Sequence, residues 1–252
     1  MLNKNKRDMQ DISTRVWNNY YKSQQPGDSS GNEYPCEGLV RFISNLRKNR
    51  NKFDYFNDAG IETKIRSNFK GKALEIGFGN LTNLRMVKKK GFNCSGLEVS
   101  ENSVKRSKQF IKNKKIKNIR TKLWKPSKIP YKNDTFDLVY GMQCIYYNLD
   151  FEFFLEEVNR VLKKNGNFIF SFFSDRHDYT TKYSEVVDRK KNLIRWSGKH
   201  PNKRIRYAIL YQPKSKSHLR SLFKKFRKVK ISTYEHDDIP VFQSWWYISG
   251  IK

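Results

Sequence analysis

The sequence of 252 residues has few cysteines and no long hydrophobic run. Its three cysteines, Cys36, Cys94 and Cys144, lie far apart and form no CxxC pair. This spacing predicts neither a disulfide framework nor a metal site, and it is typical of a reducing compartment. No apolar stretch reaches the roughly 18 residues of a transmembrane helix, and the first twenty residues lack the apolar core of a secretory signal. We therefore expect a cytoplasmic protein with no membrane contact and no bound metal.

Acidic residues are also scarce, with 24 Asp and Glu against 52 Lys and Arg, for a formal net charge of +28. The excess is spread out: 13 basic and 8 acidic residues lie in 1–71, 17 and 6 in 72–150, and 22 and 10 in 151–252. Aromatic residues make up 15% of the chain, which is too many for a disordered polymer. The charge favours an acidic partner such as nucleic acid. A coding bias towards Lys and Asn and away from Ala produces the same excess without a ligand, and both interpretations stay open.

Apolar periodicity predicts alternating strands and helices from residue 72 onward. Short apolar runs predict strands over 72–77, 92–99, 119–124, 135–140 and 167–173. Helical spacing predicts helices over 82–90, from the N-cap Ser100 to about 114, and over 151–163, the last ended by a left-handed residue at Asn165-Gly166. Strands that alternate with helices in this way predict a parallel sheet covered on both faces.

The two ends of the chain depart from this alternation. Two helices are predicted before the first strand, over 8–22 and 36–46, with a polar loop over 23–35 between them. Residues 174–203 are polar and show no long apolar period. After them we predict a strand over 204–211, a helix over 215–226 and two strands over 229–234 and 242–251.

The first predicted strand ends in a glycine pair, Gly77 and Gly79, directly before a helix. Glycines let the backbone turn sharply and approach a ligand closely, and the helix that follows presents free N–H groups and a positive dipole end. Glu98 ends the second strand 21 residues after Gly77, where a carboxylate can accept hydrogen bonds from the hydroxyls of a ribose. Thr82 stands where a dinucleotide fingerprint has its third glycine. Glu75 can receive a ligand ammonium, so the loop suits a nucleoside that bears an amino acid better than a pyrophosphate.

Four ordered motifs resemble those of class I S-adenosylmethionine-dependent methyltransferases, in particular the methyltransferase type 11-like domain. They are LEIGFGN (74–80), GLEVS (96–100), IPYKNDTFDLVYG (129–141) and EEVNRVLKKNGNFIFSFF (156–173). The resemblance implies an α/β, Rossmann-like, seven-stranded, mostly parallel sheet with helices on both faces and an antiparallel last strand. It divides the chain into an N-terminal helical cap (1–69) and a methyltransferase domain (70–252) with a substrate-lid insertion at about 174–212.

The resemblance also implies the residues that contact S-adenosyl-L-methionine. The predicted set comprises the loop, the tip of the second strand, the adenine side and the exit of the fourth strand: Glu75, Gly77, Phe78, Gly79, Asn80, Glu98, Val99, Trp124, Lys125 and Gln143. Leu81 replaces a glycine of the family loop, and we expect it to reshape the wall beside the methionine. Lys125 stands about where the family often has an Asp near the adenine amine, so we expect adenine selection to depend either on backbone groups or on stacking by Trp124.

Methyl transfer of this kind aligns a nucleophile with a sulfonium methyl and needs no metal. An oxygen or nitrogen nucleophile can require a base, and His177, just after the fifth strand, is the candidate. Tyr146, after the fourth strand, is the second catalytic candidate. A basic strip in 174–212 that also contains Tyr179, Tyr183 and Trp196 predicts either a solvated lid, guidance of an anionic acceptor, or stacking on nucleic acid.

The function predicted from these observations is an S-adenosylmethionine-dependent methyltransferase that acts on a small-molecule acceptor, with an anionic acceptor among the options. An RNA methyltransferase that uses the basic surface is the first alternative. A non-catalytic subunit of the same fold that binds a partner protein is the second. A nicotinamide-dependent oxidoreductase is disfavoured, because the third glycine of the fingerprint is absent.

Overall fold

The computed structural model describes residues 4–22, 34–48, 71–237 and 241–252. Two helices, α1 (Lys4–Lys22) and α2 (Glu37–Lys48), precede the sheet and confirm the two predicted N-terminal helices. Most of the loop predicted over 23–35, and the boundary predicted between 69 and 70, lie outside the described residues. Within the described part of the chain, no helix combines the length and the apolar character that crossing a membrane requires.

The central alternation follows the prediction closely. The elements are β1 (Lys72–Ile76), α3 (Thr82–Lys89), β2 (Asn93–Glu98), α4 (Glu101–Asn113), β3 (Ile119–Leu123), β4 (Phe136–Gly141), α5 (Phe151–Val161) and β5 (Leu162–Phe173). Ser100 is the N-cap of α4, as predicted, and its Oγ accepts a hydrogen bond from the backbone N–H of Ser103 at 3.3 Å. Such a cap satisfies one of the free N–H groups at the start of a helix.

The remaining elements are α6 (Asp178–Thr181), β6 (Ser184–Asp188), β7 (Leu193–Trp196), β8 (Ile209–Tyr211), α7 (Lys216–Leu222), β9 (Arg227–His236) and β10 (Gln243–Ile251). Seven strands form the main sheet in the order β3-β2-β1-β4-β5-β10-β9. The strands β1 to β5 pair in parallel, and β10 lies antiparallel between β5 and β9. The predicted Rossmann-like sheet with an antiparallel last strand is therefore confirmed.

The segment after β5 is more ordered than the prediction of a polar lid. A second, antiparallel sheet of three strands, β6-β7-β8, occupies much of 184–211. The predicted strand over 204–211 is reduced to β8, because a short 3₁₀ turn, Lys203–Ile205, precedes it. The hairpin β6–β7 was not predicted. Only Leu193 and Trp196 of its nine strand residues are buried, so the alternation of apolar and polar residues that marks a half-buried strand is weak.

The predicted end of the third sheet-covering helix was wrong. The helix α5 stops at Val161 and passes directly into β5 at Leu162. Asn165 does adopt the left-handed conformation, with φ of 62°, but it does so inside β5. The pairing of β4 with β5 shifts there, since Phe136 pairs with Leu162 and Leu138 already pairs with Asn167. Asn165 therefore accommodates a bulge and does not cap a helix.

Each face of the sheet has its own apolar core. Helices α5 and α7 cover one face, where Phe154, Val158 and Leu219 are buried. Helices α2, α3 and α4 cover the other, where Leu39 and Leu84 are fully buried. A fully buried side chain of this size contributes about 1.5–3 kcal/mol. The two packed faces leave the carboxyl edge of the parallel strands as the place where loops meet.

Candidate functional site

The turn after β1 is built for close approach of a ligand to the backbone. Gly77 and Gly79 have φ values of 68° and 50°, a conformation that favours glycine. A Cβ on Gly77 would lie 2.6 Å from the Sγ of Cys144, and one on Gly79 would lie 2.6 Å from the phenol oxygen of Tyr21. Both positions therefore require glycine, and the bare backbone of the turn forms part of a cavity wall.

Leu81 occupies the left-handed conformation that a third glycine would favour, with φ of 67°. Its side chain is buried in the core beneath the loop and does not line the cavity. The expectation that Leu81 reshapes the wall is therefore wrong. The side chain turns into the protein, and its burial offsets the cost of the left-handed backbone, which is roughly 1–2 kcal/mol.

Glu98 lies at the end of β2 and faces the same turn. Its carboxylate accepts hydrogen bonds from the backbone N–H groups of Gly79 at 3.0 Å, Val99 at 2.7 Å and Ser100 at 3.1 Å. Burial raises the pKa of this carboxyl, and the three amides act in the opposite direction. A fixed carboxylate beside a glycine turn is the arrangement that recognises ribose hydroxyls.

Glu75 lies behind the glycine turn and does not line the cavity. It is fully buried and accepts hydrogen bonds from the Nδ2 of Asn83 at 3.1 Å and from the hydroxyl of Tyr140 at 3.3 Å. Burial raises its pKa to about 8 despite these two bonds. The side chain therefore links β1 to β4 and to α3 beneath the loop.

The chain leaving β4 forms the middle of the site. Gln143 has φ of 58°, and its N–H donates to the Oγ of Ser171 at 2.7 Å. The thiol of Cys144 donates to the carbonyl of Ile76 at 2.8 Å, and burial raises its pKa well above the ordinary value. Cys144 is therefore a packed, protonated thiol. The hydroxyl of Tyr146 donates to the carbonyl of Gln143 at 2.7 Å and supports this turn.

These parts enclose one cavity of about 440 Å³. Eight of the ten residues predicted to contact the cofactor line it: Gly77, Phe78, Gly79, Asn80, Glu98, Val99, Trp124 and Gln143. Tyr146 lines it as well. Glu75 does not, and Lys125 lines a neighbouring cavity of about 520 Å³ that shares Trp124 with the first. The role of each residue as a ligand contact stays a prediction.

His177 lies beside the cavity but does not line it. Its ring is fully buried and lies edge-on to Phe173 and Trp245, at centroid distances of 4.7 and 5.1 Å. Its Nδ1 accepts the N–H of Tyr179 at 3.0 Å, which caps α6. Burial lowers the pKa of this imidazole to about 4, so it is neutral at neutral pH. The structure does not bring the predicted base into contact with the cavity.

The rest of the cavity wall comes from α1, from the insertion after β5 and from β10. From α1 come Trp17, Tyr20 and Tyr21, and from the end of the chain come Gln243 and Trp245. From the insertion come Tyr179, Asn202 and Ile205. The spacing of Val16, Trp17 and Tyr20 predicts that these side chains lie on one side of the helix. Nothing in the sequence showed that this face would lie over the glycine turn.

Among the described residues, no group of three or more His, Cys, Asp or Glu side chains comes together that could hold a metal ion.

Residues 74–170 match the family model of the methyltransferase domain. This part of the chain is similar to a methyltransferase domain. The match covers the segment from β1 into β5, which contains the glycine turn, Glu98 and the exit of β4.

A curated relative of the methyltransferase domain is the norajmaline N-methyltransferase of Rauvolfia serpentina. It is 29% identical over 122 residues, which are 48% of this chain and 42% of that protein. The chain therefore matches less than half the length of this relative. The matched region shows relatedness of the domain, and the activity of the whole chain is a matter for proposal.

Two solved structures share the fold of the whole chain or most of it. The PH0226 protein of Pyrococcus horikoshii OT3 has a TM-score of 0.57 at 18% identity and covers 92% of this chain and 98% of its own. The phosphoethanolamine N-methyltransferase 2 of Haemonchus contortus, solved with phosphomonomethylethanolamine and S-adenosylhomocysteine, has a TM-score of 0.54 at 12% identity and covers 73% of this chain and 49% of its own. At sequence identities this low, the similarity shows only that the fold is shared.

S-adenosylmethionine is the cofactor of this family, and the matched part of this chain has residues that fit it. The Cβ-free cradle at Gly77 and Gly79 admits a ligand close to the backbone. The Glu98 carboxylate lies at the tip of β2 beside this turn, where it would accept hydrogen bonds from ribose hydroxyls. Trp124 lines the same cavity, where its ring would stack on the adenine. When bound, the cofactor supplies an electrophilic methyl group on a sulfonium sulfur.

Proposed function

We propose that this chain transfers a methyl group from S-adenosylmethionine to a small-molecule acceptor. The observation that carries the proposal is a single cavity that joins the glycine turn and Glu98 at one end to a wall of aromatic side chains at the other. Methyl transfer needs a donor and an acceptor held in line and shielded from water, and a shared cavity supplies both conditions. The relative named norajmaline N-methyltransferase supports an acceptor of this class.

In this proposal the two ends of the cavity have different tasks. Glu98 binds the ribose, and the backbone at Gly77 and Gly79 receives the amino-acid part of the donor. Trp124 stacks on the adenine. Tyr146 is a positioning residue, because its hydroxyl holds the carbonyl of Gln143 at the point where the two ends meet.

An anionic acceptor finds little support in the cavity itself. The basic strip of 174–212 was the reason to consider one, yet none of the described residues that line the cavity is Lys or Arg. An anion moved from water into this space would lose its hydration without gaining a counter-charge. A neutral or weakly basic acceptor avoids that cost.

Calorimetric titration with S-adenosylmethionine tests the donor site. We expect measurable binding by the wild-type chain and a loss of at least tenfold in affinity on Glu98→Ala, because the ribose loses its carboxylate. Gly79→Arg should abolish binding, since any side chain there meets Tyr21. Glu101→Ala is the matched control, because this exposed acid lies only three residues from Glu98.

Unchanged affinity in both site variants would contradict the donor site. Transfer of labelled methyl from S-adenosylmethionine into a product, detected by mass spectrometry of a metabolite extract, would exclude the alternative of a non-catalytic partner-binding subunit. Binding without any turnover across such an extract would favour that alternative.

A further inference from the structure

The acceptor end of the cavity is unusual in its lack of charge. Among the described residues that line the whole cavity, none is Lys, Arg, His or Asp, and Glu98 is the one acid. Glu98 belongs to the donor end, where three backbone amides hold it. On a chain with a net charge of +28, an uncharged pocket restricts the chemistry of what can enter it.

Aromatic rings form a continuous wall at this end. The ring of Trp17 lies 5.1 Å from that of Tyr147, Tyr147 lies 4.8 Å from Tyr146, and Tyr146 lies 4.8 Å from Phe173. Phe173 lies 4.3 Å from Trp245, which extends the wall to the last strand of the sheet. All five residues line the cavity. Such rings pack against flat aromatic ligands, and their negative faces stabilise positive charge.

Two polar atoms of the cavity lining, the Nε1 of Trp17 and the Oδ1 of Asn148, are buried without a hydrogen-bond partner among the described residues. Asn148 lines the cavity and is 5% exposed, and its Oδ1 is buried without a hydrogen-bond partner in the described part of the protein. Its Nδ2 donates to the carbonyl of Ile145 at 2.8 Å, which fixes the orientation of the amide. A buried oxygen without a partner is costly, and a ligand N–H would satisfy it.

Apart from Glu98 at the donor end, none of the described residues that line the cavity could take a proton from an acceptor before transfer. Burial raises the pKa of the hydroxyls of Tyr146, Tyr147 and Tyr179, and that of the thiol of Cys144, so these groups are neutral. His177, the predicted base, lies behind the wall. An alcohol or phenol acceptor would need such a base, whereas a neutral amine attacks with its own lone pair.

We propose that the methyl acceptor is the neutral nitrogen of a flat aromatic amine, a choice that rests on the methyl-transfer function proposed above. The lone pair of the nitrogen forms the new N–C bond while the C–S bond breaks, and the electron pair of that bond stays on sulfur. Positive charge passes from sulfur to nitrogen beside the aromatic wall, which stabilises it along the way. The arylammonium product then gives its proton to water.

A matched series on one ring tests the proposal: 1-naphthylamine, 1-naphthol and 1-naphthoate, which differ only in the group that meets the site. Binding is measured by calorimetry in the presence of S-adenosylhomocysteine, and transfer is measured with labelled S-adenosylmethionine. We expect the amine to bind at least tenfold more tightly than the carboxylate and to gain the methyl at least tenfold faster than the naphthol. Equal or tighter binding of the carboxylate, equal or faster methylation of the naphthol, or no binding of the amine would overturn the proposal.

Variants of Trp17 test whether binding of the amine requires an aromatic ring or only an apolar side chain. Trp17→Phe keeps an aromatic ring, and we expect it to retain amine binding within about threefold. Trp17→Leu removes the ring but keeps an apolar side chain, and we expect it to lose binding of the amine by at least tenfold while binding of S-adenosylmethionine persists. Tyr34→Leu, at an aromatic residue that is 81% exposed and outside the cavity, is the control.

The two proposals fail in different ways. If the wild-type chain does not bind S-adenosylmethionine, the methyl-transfer function itself is wrong. If it binds S-adenosylmethionine but prefers the naphthol or the naphthoate, the donor site stands and the aromatic amine is the wrong acceptor. Equal loss of amine binding in Trp17→Phe and Trp17→Leu would contradict the role of the π-face.

Discussion

The environment of Glu75 makes the stability of the fold sensitive to pH. Burial raises the pKa of its carboxyl from 4.5 to about 8, so the folded protein holds this proton where the unfolded chain has released it. Stability must therefore fall as the pH rises from about 4.5 to about 8, by up to about 1.4 kcal/mol for each pH unit. Above pH 8 the carboxyl is ionised in both states and this contribution becomes constant.

Glu75→Gln should remove this dependence, because a neutral amide imitates the protonated carboxyl between Asn83 and Tyr140. We expect the variant to be more stable than the wild type at pH 8 and nearly equal to it at pH 5. Urea unfolding at several pH values measures the difference, and comparison of the two proteins cancels the titration of groups that do not interact with Glu75. Parallel stability curves for the wild type and the variant would contradict the raised pKa.

The contrast between Glu98 and His177 shows what could be predicted for single residues. Glu98 could be found because the carboxyl ends of parallel strands meet at one sheet edge, so its position at the tip of β2 placed it beside the glycine turn. His177 also follows a strand, yet its imidazole turns inward and packs against Phe173 and Trp245. Sequence spacing locates a residue on an edge, but packing of the neighbouring rings decides whether its side chain faces the ligand.

At the scale of elements, α1 matters because it carries three of the aromatic residues that line the cavity. Asn18 holds this helix against α4: its Oδ1 accepts hydrogen bonds from the Oγ of Ser100 at 3.2 Å and the Nδ2 of Asn102 at 3.1 Å. Asn18 itself does not line the cavity. It therefore positions Trp17 and Tyr21 without contacting a ligand.

Asn18→Ala should lower the free energy of unfolding by about 1–2 kcal/mol, because Asn102 loses a hydrogen-bond partner. We also expect S-adenosylmethionine to bind about three- to tenfold more weakly, since α1 is no longer fixed over the glycine turn. Asn19→Ala changes the exposed neighbour on the same helix and should leave both quantities unchanged. Reduced stability with unaltered binding would show that α1 is only a structural support.

The elements that sequence periodicity predicted best are those buried on both sides. The strands β1 and β4 lie inside the sheet, and all but one residue of each is buried, as is typical of a parallel strand covered on both faces. The hairpin β6–β7 lies on the surface, and seven of its nine strand residues are at least partly exposed. Its pairing depends on contacts with β8 that are distant in sequence, so local pattern could not reveal it.

At the scale of the whole molecule, the net charge of +28 is separate from the cavity. The basic residues of the insertion, including Arg189, Lys190 and Lys199, are exposed, while Trp196 from the same segment is fully buried. Binding of single-stranded nucleic acid by stacking needs cations and exposed aromatic rings on one surface. Burial of Trp196 removes one of the three rings on which that interpretation depended.

RNA should therefore bind this protein through charge alone and should not receive the methyl group. We expect RNA affinity to fall steeply with salt, as each neutralised phosphate adds to the slope, and to weaken in the double variant Arg189→Glu, Lys190→Glu. Methyl transfer to a small acceptor should be the same in this variant as in the wild type, because neither residue lines the cavity.

A metabolite extract incubated with labelled S-adenosylmethionine should yield the same labelled small molecules with and without RNase. If the label instead enters RNA, and RNase removes it, the basic surface is the substrate site and the small-molecule acceptor is wrong.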